Sequence, residues 1–523
     1  MLLTECDWLG DIIGHRAKLS PDKEGILDLD NNINYTFSHL NDRANRLANF
    51  MSEQCGIRKG DRVAFISRNR IEMFDGIFAC GKLGAVFVPY NLRLSAEELI
   101  LLMNNEEPKA LFFEDLFSPV VHQLKNNINT INKYVVLPND DLNSNDVNYN
   151  EVIKYENNAP VKCKDLKLED IYLLIHTGGT TGLPKGAMIS HRAVLSNAMN
   201  NIVDWGLSPK DRVHLILPLF HTGGWNILTL GLLMVGGELL INKDFTPKLS
   251  LKVINDYKTN YVFGAATIFR MMYEQPEFHT TDWSSVRWVM SGAAPTPVQV
   301  MEKFWEKGVK ICSGYGLTEG GPMNLGTPVN FITLEKIKEK YASVGKPFYF
   351  TIAKIVDDND NEVEPGNTGE LIFTGPQIFS GYWKNQEETN KTLRNGWVYT
   401  GDMAIMDMEG YISIVGRKKN IYISGGENVF PAEIEKILYQ INEIHECCVI
   451  GVPDEKWGEV GKAVISLKEG MTLSKSQIIE FLNTKLAHYK VPKYVTFVEE
   501  VPKNSVGKIV SQEVIKKYGK PED

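Results

Sequence analysis

The sequence predicts an α/β protein: a large N-terminal region of layered α/β subdomains and a small β unit, followed by a small α+β C-terminal domain. Three observations predict this fold class. The 523 residues correspond to about three or four domains of typical size. Strand-like and helix-like segments alternate along the first part of the chain, as in layers with mostly parallel strands. Later strand-like runs are short and separated by Asp, Asn and Gly turns.

The first alternating elements are two apolar runs with a helical segment between them. Val63–Ile66 and Ala85–Pro89 have the length and composition of buried strands, and Ile71–Gly81 predicts the helix. The Asn- and Asp-rich segment Asn126–Asn150 has few apolar anchors, so we expect a surface excursion there. Further buried strands are predicted at Leu173–Ile175, Val213–Leu217 and Tyr261–Phe263.

The pattern changes in the last third of the chain. Ser343–Tyr411 predicts a small antiparallel β unit, and the charged stretch Gly416–Asn420 predicts a junction. The tail then predicts a compact α+β unit with helices at Pro431–Tyr439 and Ser474–Leu486. Its strands are predicted at Cys447–Val452, Lys462–Leu467 and Tyr494–Phe497.

Charge and cysteine content exclude several classes of protein. The net charge of −9 is the opposite of what a general phosphate-backbone binder needs, so we expect no nucleic-acid partner. Seven Cys without paired spacing indicate a reducing compartment, and Met1–Asp7 lacks the basic start of a secretory signal. We therefore expect a cytoplasmic protein, and the sequence leaves a homodimer open.

One stretch resembles a membrane span by charge alone. Val213–Gly237 contains no Lys, Arg, Asp or Glu, but Pro218, His221 and two glycines divide it into short apolar runs. A span needs about 20 mainly apolar residues. We therefore expect no transmembrane segment here, but a buried strand and helix with a polar corner between them.

The strongest chemical signal is the Gly- and Thr-rich segment His176–Gly186, directly after a strand-like run. Glycines let backbone N–H groups converge on an anion. Thr177, Thr180 and Thr181 add hydroxyl donors, and Lys185 adds positive charge. The segment predicts a polyphosphate site; the alternative is a plain turn between a strand and the helix near Arg192.

Two common nucleotide motifs are excluded. Lys185 follows Pro184, and none of the Gly-Lys pairs is followed by Ser or Thr, so the chain has no Walker A loop. Gly314–Glu319 begins like a dinucleotide fingerprint but has Glu where the third Gly belongs. A carboxylate beside a pyrophosphate needs an intervening cation, so Glu319 is interpreted as a Mg²⁺ ligand.

Four ordered motifs resemble the adenylate-forming superfamily of acyl-CoA synthetases, firefly-type luciferases and peptide-synthetase adenylation domains. They cover nearly the whole chain, and they are Thr177–Gly186, Tyr315–Glu319, Tyr399–Asp402 with Gly416–Asn428, and Pro502–Lys508. The resemblance implies two half-reactions: a carboxylate attacks the α-phosphate of ATP, and a thiol then displaces AMP from the acyl-adenylate.

The resemblance also implies roles for individual residues. Lys508 would stabilise the charge that develops at the α-phosphorus. Thr318 would hydrogen-bond the α-phosphate, Tyr315 would lie against adenine and Asp402 would accept from the ribose hydroxyls, although a turn aspartate is the alternative for Asp402. The residues assigned to ATP or CoA are Thr177, Gly178, Gly179, Thr180, Thr181, Gly182, Lys185, Ser291, Gly292, Ala293, Tyr315, Gly316, Asp402, Arg417, Lys419, Gly425, Gly426 and Glu427.

His221 matches the position that faces the acyl pocket in related ligases, with a satisfied core histidine as the alternative. It is not interpreted as a general base, because a carboxylate nucleophile carries no proton to remove. Trp225 and the strand Tyr261–Ala266, with Thr267, are expected to line the same pocket, and the core is an equal alternative for the aromatic and apolar residues among them.

The resemblance implies a mobile C-terminal domain, residues 419–523, that swings about Lys419 against an N-terminal domain of residues 1–418. The swing would bring Ser424–Glu427 to the active site, where Gly425 and Gly426 would lie along a pantetheine arm. A tight turn is the alternative for the two glycines.

Some positions depart from the family pattern. Gly178 stands where a Ser is frequent, His176 where Tyr or Phe is frequent, and Val510 and Ser511 where basic residues are frequent. None of these removes a group that the mechanism requires.

These inferences predict an ATP-, Mg²⁺- and CoA-dependent ligase of a medium- or long-chain fatty acid. Three alternatives stay open: a ligase of an o-succinylbenzoate- or cinnamate-type acid, an acyl-AMP ligase that loads a carrier protein, and a non-catalytic nucleotide-binding module. Retention of Lys508, Glu319 and Asp402 together disfavours the last.

Overall fold

A computed structural model describes residues 10–138, 146–161, 163, 165–178, 184–292, 296–503 and 509–521. Its strands, in chain order, are β1 (Glu24–Asp28), β2 (Ile33–Thr36), β3 (Arg62–Ile66), β4 (Val86–Pro89), β5 (Ala110–Phe113), β6 (Lys133–Val136), β7 (Val147–Asn148), β8 (Ile171–Thr177), β9 (Lys185–Ser190), β10 (Arg212–His214), β11 (Glu238–Ile241), β12 (Tyr261–Gly264), β13 (Trp288–Ser291), β14 (Ile311–Tyr315), β15 (Leu325–Gly326), β16 (Lys346–Pro347), β17 (Ile352–Val356), β18 (Thr368–Thr374), β19 (Leu393–Arg394), β20 (Trp397–Met406), β21 (Ile412–Arg417), β22 (Tyr422–Ser424), β23 (Glu427–Val429), β24 (Ile444–Asp454), β25 (Gly458–Leu467) and β26 (Tyr494–Phe497).

The α-helices in the same described residues are α1 (Ile12–Leu19), α2 (Phe37–Gln54), α3 (Ile71–Leu83), α4 (Ala96–Glu106), α5 (Ser118–Asn127), α6 (Tyr149–Val152), α7 (His191–Trp205), α8 (Thr222–Asn226), α9 (Thr229–Val235), α10 (Pro247–Tyr257), α11 (Ala266–Tyr273), α12 (Val298–Trp305), α13 (Leu334–Glu339), α14 (Gln386–Thr392), α15 (Pro431–Leu438), α16 (Lys475–Asn483) and α17 (Ser511–Tyr518).

The first large sheet has seven strands in the order β7-β6-β5-β3-β4-β8-β9. Its pairs from β7 to β8 are parallel, and β9 returns antiparallel to β8. The expectation that Asn126–Asn150 is only a surface excursion is wrong, because β6 lies inside this segment. Val135 and Val136 of β6 are buried in the core, so four residues are enough to anchor an otherwise polar stretch.

The second large sheet has nine strands in the order β16-β15-β14-β13-β12-β10-β11-β1-β2. Its central strands β14, β13, β12, β10, β11 and β1 pair in parallel. The two large sheets share one hydrophobic core, which includes Phe65 of β3 and Trp288 of β13. The predicted α/β layering with mostly parallel strands is confirmed.

Residues 352–417 form a five-stranded antiparallel sheet of β17, β18, β20, β19 and β21, as the short strand-like runs predict. A separate sheet of β22 to β26 follows, with α15 and α16 packed on it. This C-terminal unit has its own core, to which Ile434, Val449 and Ile465 contribute. The predicted α+β tail is therefore present as a distinct packing unit.

The uncharged stretch 213–237 contains the end of β10 and the two short helices α8 and α9. Its aliphatic side chains lie in the shared core. Over the ranges that the structure describes, no helix combines the length and the apolar character that crossing a bilayer requires.

Candidate active site

The carboxyl ends of β10, β12, β13 and β14 meet at one edge of the nine-stranded sheet. Gly264, Ser291 and Ser313 lie side by side there, in register across three parallel strands. In sheets of this kind, ligands bind outside the carboxyl ends of the strands. A Cβ on Gly292 would lie 2.7 Å from the ring of Phe263, so this edge has no room for a larger residue. Ala293 lies outside the described residues.

Tyr315 at the end of β14 contacts Asp402 of β20. The tyrosine hydroxyl donates to Asp402 Oδ2 at 2.6 Å, and Arg417 Nε lies 2.7 Å from Asp402 Oδ1. Asp402 and Arg417 are cross-strand neighbours on β20 and β21. The structure thus joins three residues that the resemblance assigned to the nucleotide, among them Tyr315 to adenine and Asp402 to ribose.

The chemistry of this cluster suits a ribose. Burial, together with the nearby Asp402 carboxylate, raises the pKa of Tyr315 well above its ordinary value, so the phenol remains a donor. Asp402 Oδ2 accepts from Tyr315 and Asp402 Oδ1 pairs with Arg417, and a carboxylate is an acceptor of the kind that ribose hydroxyls require. Asp402 is only 5% exposed, which preorganises the carboxylate.

A tight turn after Tyr315 presents Thr318 and Glu319. A Cβ on Gly316 would lie 1.8 Å from the carbonyl oxygen of Pro322, so the turn requires glycine. Thr318 and Glu319 are buried in a 3₁₀ turn that spans Thr318–Gly320. Glu319 Oε1 accepts from the hydroxyl of Tyr382 at 2.5 Å.

Glu319 is placed where its carboxylate could hold a Mg²⁺ ion. The described residues contain no cluster of three or more His, Cys, Asp and Glu side chains that could hold a metal by themselves. Mg²⁺ commonly takes one or two carboxylates and completes its shell with phosphate oxygens and waters. Glu319 would supply such a carboxylate, and the ion would neutralise charge on the polyphosphate.

The Thr- and Gly-rich segment connects two strands. Thr177 ends β8, Lys185 begins β9, and the two residues are cross-strand partners. Helix α7 begins at His191, only after β9 has ended. The alternative was a plain turn that leads from a strand into the helix near Arg192. It is wrong in this respect, because the segment connects two strands. Gly178 is exposed at the start of the connection, and Gly179, Thr180, Thr181 and Gly182 lie outside the described residues.

His221 is exposed and caps the N-terminus of α8, where its Nδ1 accepts from the N–H of Gly223 at 3.2 Å. The core-histidine alternative is therefore wrong. Trp225, in contrast, is fully buried between Phe74 and Phe87, so the core alternative is right for this residue.

The backbone before His221 is clamped by two side chains. Asn69, just after β3, donates to the carbonyl of Leu217 and accepts from the N–H of Leu219, both at 2.9 Å. Trp225 Nε1 donates to the carbonyl of Leu219 at 2.6 Å. The Asn69 clamp joins the carboxyl ends of β3 and β10, and it fixes the segment from which His221 projects.

Lys419 lies in the 3₁₀ turn Lys418–Asn420, between the antiparallel sheet and the C-terminal unit. The next residue, Asn420, donates to the hydroxyl of Ser511 at 3.1 Å. Lys508 lies outside the described residues. The residues that flank 504–508 pair with each other, since Lys503 and Ile509 form an antiparallel bridge.

Gly425 and Gly426 are the two central residues of the hairpin between β22 and β23, and both have positive φ. The tight-turn alternative is thus right about the backbone. A Cβ on Gly425 would lie 2.8 Å from the ring of Trp457, whereas one on Gly426 would have no atom of the described residues within 4 Å, apart from its chain neighbours. Gly426 and Glu427 are exposed.

Sequence reasoning missed four residues of this site: Asn69, Tyr382, Glu388 and Trp457. Glu388 forms an ion pair with Lys185, and the aromatic ring of Tyr382 lies 5.4 Å from the same ammonium group. Trp457 could have been found by asking which aromatic residue lies beside the predicted Gly425–Gly426 turn, because the half-exposed ring of Trp457 packs against Gly425. Nothing local in the sequence indicates the other three, because each acts across 60 residues or more.

Comparison with known proteins agrees with this geometry. Models of the AMP-binding enzyme and of the AMP-binding enzyme C-terminal domain match residues 13–383 and 433–508. The chain belongs to the AMP-binding enzyme family. The predicted boundary at 418/419 falls between the two matched ranges and stays a prediction.

Relatives in this family match over nearly the full chain. A feruloyl-CoA synthase from an Amycolatopsis species is 34% identical over 98% of this chain and 99% of its own. A long-chain-fatty-acid–CoA ligase from Bacillus subtilis is also 34% identical, over 97% and 94%. ATP-bound MatB from Rhodopseudomonas palustris superimposes with a TM-score of 0.87 at 26% identity, over 98% and 99%.

Family membership confirms the resemblance that the four motifs carry. The protein is an acid–CoA ligase of the AMP-binding family that works through an acyl-adenylate and uses ATP, Mg²⁺ and CoA. The alternative of a non-catalytic nucleotide-binding module is thereby excluded. The acid itself differs among the relatives, so family membership alone does not identify it.

Asp402→Asn tests the proposed ribose contact. We expect the KM for ATP to rise about 10- to 100-fold, since a hydrogen bond to a charged acceptor contributes about 1.5–3 kcal/mol. The KM for CoA should change little. Steady-state kinetics with each substrate varied would measure both. Asp407→Asn is the matched control, because Asp407 is also ion-paired, with Lys340, but lies beyond the end of β20. Equal effects of the two variants would contradict the assignment.

Proposed function

We propose that the substrate is a hydrophobic monocarboxylic acid, in the first place a medium- or long-chain fatty acid. The observation that carries this proposal is the composition of the site edge. The segments 213–227, 261–268, 288–292 and 311–318 contain no Lys, Arg, Asp or Glu. They include the carboxyl ends of the neighbouring strands β10, β12, β13 and β14, where the tail of the acid would lie.

The contacts at this edge are correspondingly apolar. A Cβ on Gly264 would lie within 3.4 Å of Phe269, Ile268 and Ile216, and Phe263 borders Gly292. A second carboxylate there would find no Lys or Arg in these four segments, and burying an unpaired charge is costly. This disfavours an o-succinylbenzoate-type acid, which carries two carboxylates, and it favours an alkyl chain.

A cinnamate-type acid is the second candidate. The hydroxyl of Thr267 is exposed at the start of α11, next to the apolar wall, and could meet a polar ring substituent. The relative named feruloyl-CoA synthase is as similar as the relative named long-chain-fatty-acid–CoA ligase. The two acids therefore have to be separated by experiment.

The residues of this chain would divide the work of the two half-reactions. Lys508 would stabilise the α-phosphate during attack, and Thr318 would hydrogen-bond it. Glu319 would hold Mg²⁺, and Lys185 would bind the polyphosphate with the Thr- and Gly-rich loop. Tyr315, Asp402 and Arg417 would hold the nucleoside. His221 would face the reacting carboxylate as a positioning group.

For thioester formation, the C-terminal domain would rotate about Lys419 and replace Lys508 by the Gly425–Gly426 hairpin. One site would then first exclude water from the adenylate and later admit a thiol. The separate core of the C-terminal unit supports this proposal, since the unit can move without exposing the large core.

A screen of acids by pyrophosphate release, with and without CoA, tests the substrate. With fatty acids we expect kcat/KM to rise about fourfold per methylene until the pocket is filled, as about 0.8 kcal/mol per buried CH₂ implies. An α,ω-dicarboxylic acid of the best chain length is the control, and its kcat/KM should be at least about 100-fold lower. Preference for ferulate or cinnamate would favour the second candidate, and equal use of the dicarboxylic acid would overturn the proposal.

A further inference from the structure

Lys185, the lysine of the Thr- and Gly-rich segment, is engaged by a carboxylate of this chain itself. Its Nζ forms an ion pair with Glu388 Oε2 on α14. The segment that leads into α14 is attached to β9, since Trp383 N donates to the carbonyl of Gly186 at 2.8 Å. The contact therefore joins two elements that the backbone already holds together.

The other oxygen of Glu388 has a second cationic partner. Lys391 Nζ lies 2.8 Å from Glu388 Oε1 and 2.7 Å from Glu387 Oε1. If Lys185 leaves, Glu388 therefore keeps Lys391 and is not left as an unpaired charge. The hydrogen bonds from Lys185 and Lys391 lower the pKa of Glu388 to about 2, so the carboxylate is charged at any working pH.

The ion pair is placed where it can exchange. The side chains of Lys185 and Glu388 are 20% and 27% exposed. Ion pairs with such access to solvent are weak, and a multiply charged anion can displace one carboxylate from them. The Lys185 ammonium also lies over the ring of Tyr382, 5.4 Å from its centre, and the hydroxyl of Tyr382 donates to Glu319. The exchange would thus take place beside the proposed Mg²⁺ ligand.

We propose that Glu388 is an intramolecular competitor of the polyphosphate for Lys185. It neutralises Lys185 before ATP binds, yields the ammonium to the phosphates, and recaptures it when pyrophosphate leaves. This inference rests on the phosphate-binding role proposed above for Lys185. Its consequence is that Glu388 weakens the binding of both ATP and pyrophosphate, and so speeds the release of a product that would otherwise be held tightly.

Titration of Mg²⁺-pyrophosphate and of Mg²⁺-ATP into the full-length protein, in the absence of acid and CoA, tests this by calorimetry. Glu388→Gln keeps the shape of the side chain and removes its charge. We expect the Kd of both anions to fall about two- to fivefold, the range that a weak, partly exposed ion pair allows. Pyrophosphate should also become a correspondingly stronger product inhibitor.

Glu387→Gln is the matched control. Glu387 neighbours Glu388 on α14, carries the same charge and also pairs with Lys391, but it is not paired with Lys185. It should leave both Kd values within about 1.5-fold, because screening weakens the effect of a distant exposed charge. An equal fall of the two Kd values in Glu387→Gln and Glu388→Gln would overturn the proposal, since it would show that binding responds only to the net charge of the region.

A double-mutant cycle separates this proposal from the one on which it rests. If Lys185→Gln leaves both Kd values unchanged, Lys185 does not bind the polyphosphate, and the proposed role of Lys185 fails. If Lys185→Gln weakens binding, Glu388→Gln should have no further effect in that background. A persistent effect there, or weaker binding in the Glu388→Gln single variant, would show that Glu388 does not compete for Lys185.

Discussion

Lys508→Ala is expected to reduce acyl-adenylate formation about a thousandfold or more. One preorganised cation at a developing phosphoryl charge commonly contributes that much to the rate. The same variant should convert a pre-made acyl-adenylate and CoA into thioester at close to the normal rate, because in the proposed mechanism Lys508 leaves the site before the second half-reaction. ATP–pyrophosphate exchange measures the first effect, and thioester formation from synthetic acyl-AMP measures the second.

Lys503→Ala is the control for this variant. Lys503 belongs to the same segment, but its ammonium is paired with Glu446 and Glu500 at 2.8 and 3.1 Å. It should change neither half-reaction by more than about threefold, as expected for a surface ion pair. Unchanged pyrophosphate exchange in Lys508→Ala would refute the role of Lys508 and with it the need for a moving domain.

Much of the fold was predictable because its signals are local. The buried strands β3 and β4 and the helix α3 between them follow from apolar runs of the right length. The prediction was wrong where composition was averaged over a long segment. The polar stretch 126–150 contains the short strand β6, whose place in the sheet depends on its pairing with β5 and β7.

The site was predictable to a lesser degree, for a physical reason. Individual groups such as Tyr315, Asp402 and Arg417 are indicated by their motifs, yet the hydrogen bond from Tyr315 to Asp402 depends on how two different sheets pack. Glu388 has no motif at all, because its contact with Lys185 spans 203 residues. A residue that acts only through a contact with another side chain can be recognised in the three-dimensional structure, but the sequence around it contains no motif that indicates its role.

Gly426→Leu is expected to slow thioester formation at least about tenfold more than it slows adenylation. Among the described residues other than its chain neighbours, none has an atom within 4 Å of a Cβ at this position, so the start of a side chain meets open space in the pose described. The leucine side chain would obstruct only a group, such as a pantetheine arm, that approaches Gly426 after the proposed rotation has brought the hairpin to the adenylate. The two half-reactions should therefore respond differently, and rapid-quench kinetics of each would measure the difference.

Gly426→Ala separates bulk from backbone strain in this test. The φ of Gly426 is +90°, so any L-residue there is strained, at a cost of about 1–3 kcal/mol that alanine and leucine share. The ratio of the leucine to the alanine variant thus isolates the side chain. Position 425 would be a poorer probe, because substitution there displaces Trp457 as well. If leucine and alanine slowed both half-reactions alike, the hairpin would act only as a tight turn, and no pantetheine arm would pass over Gly426.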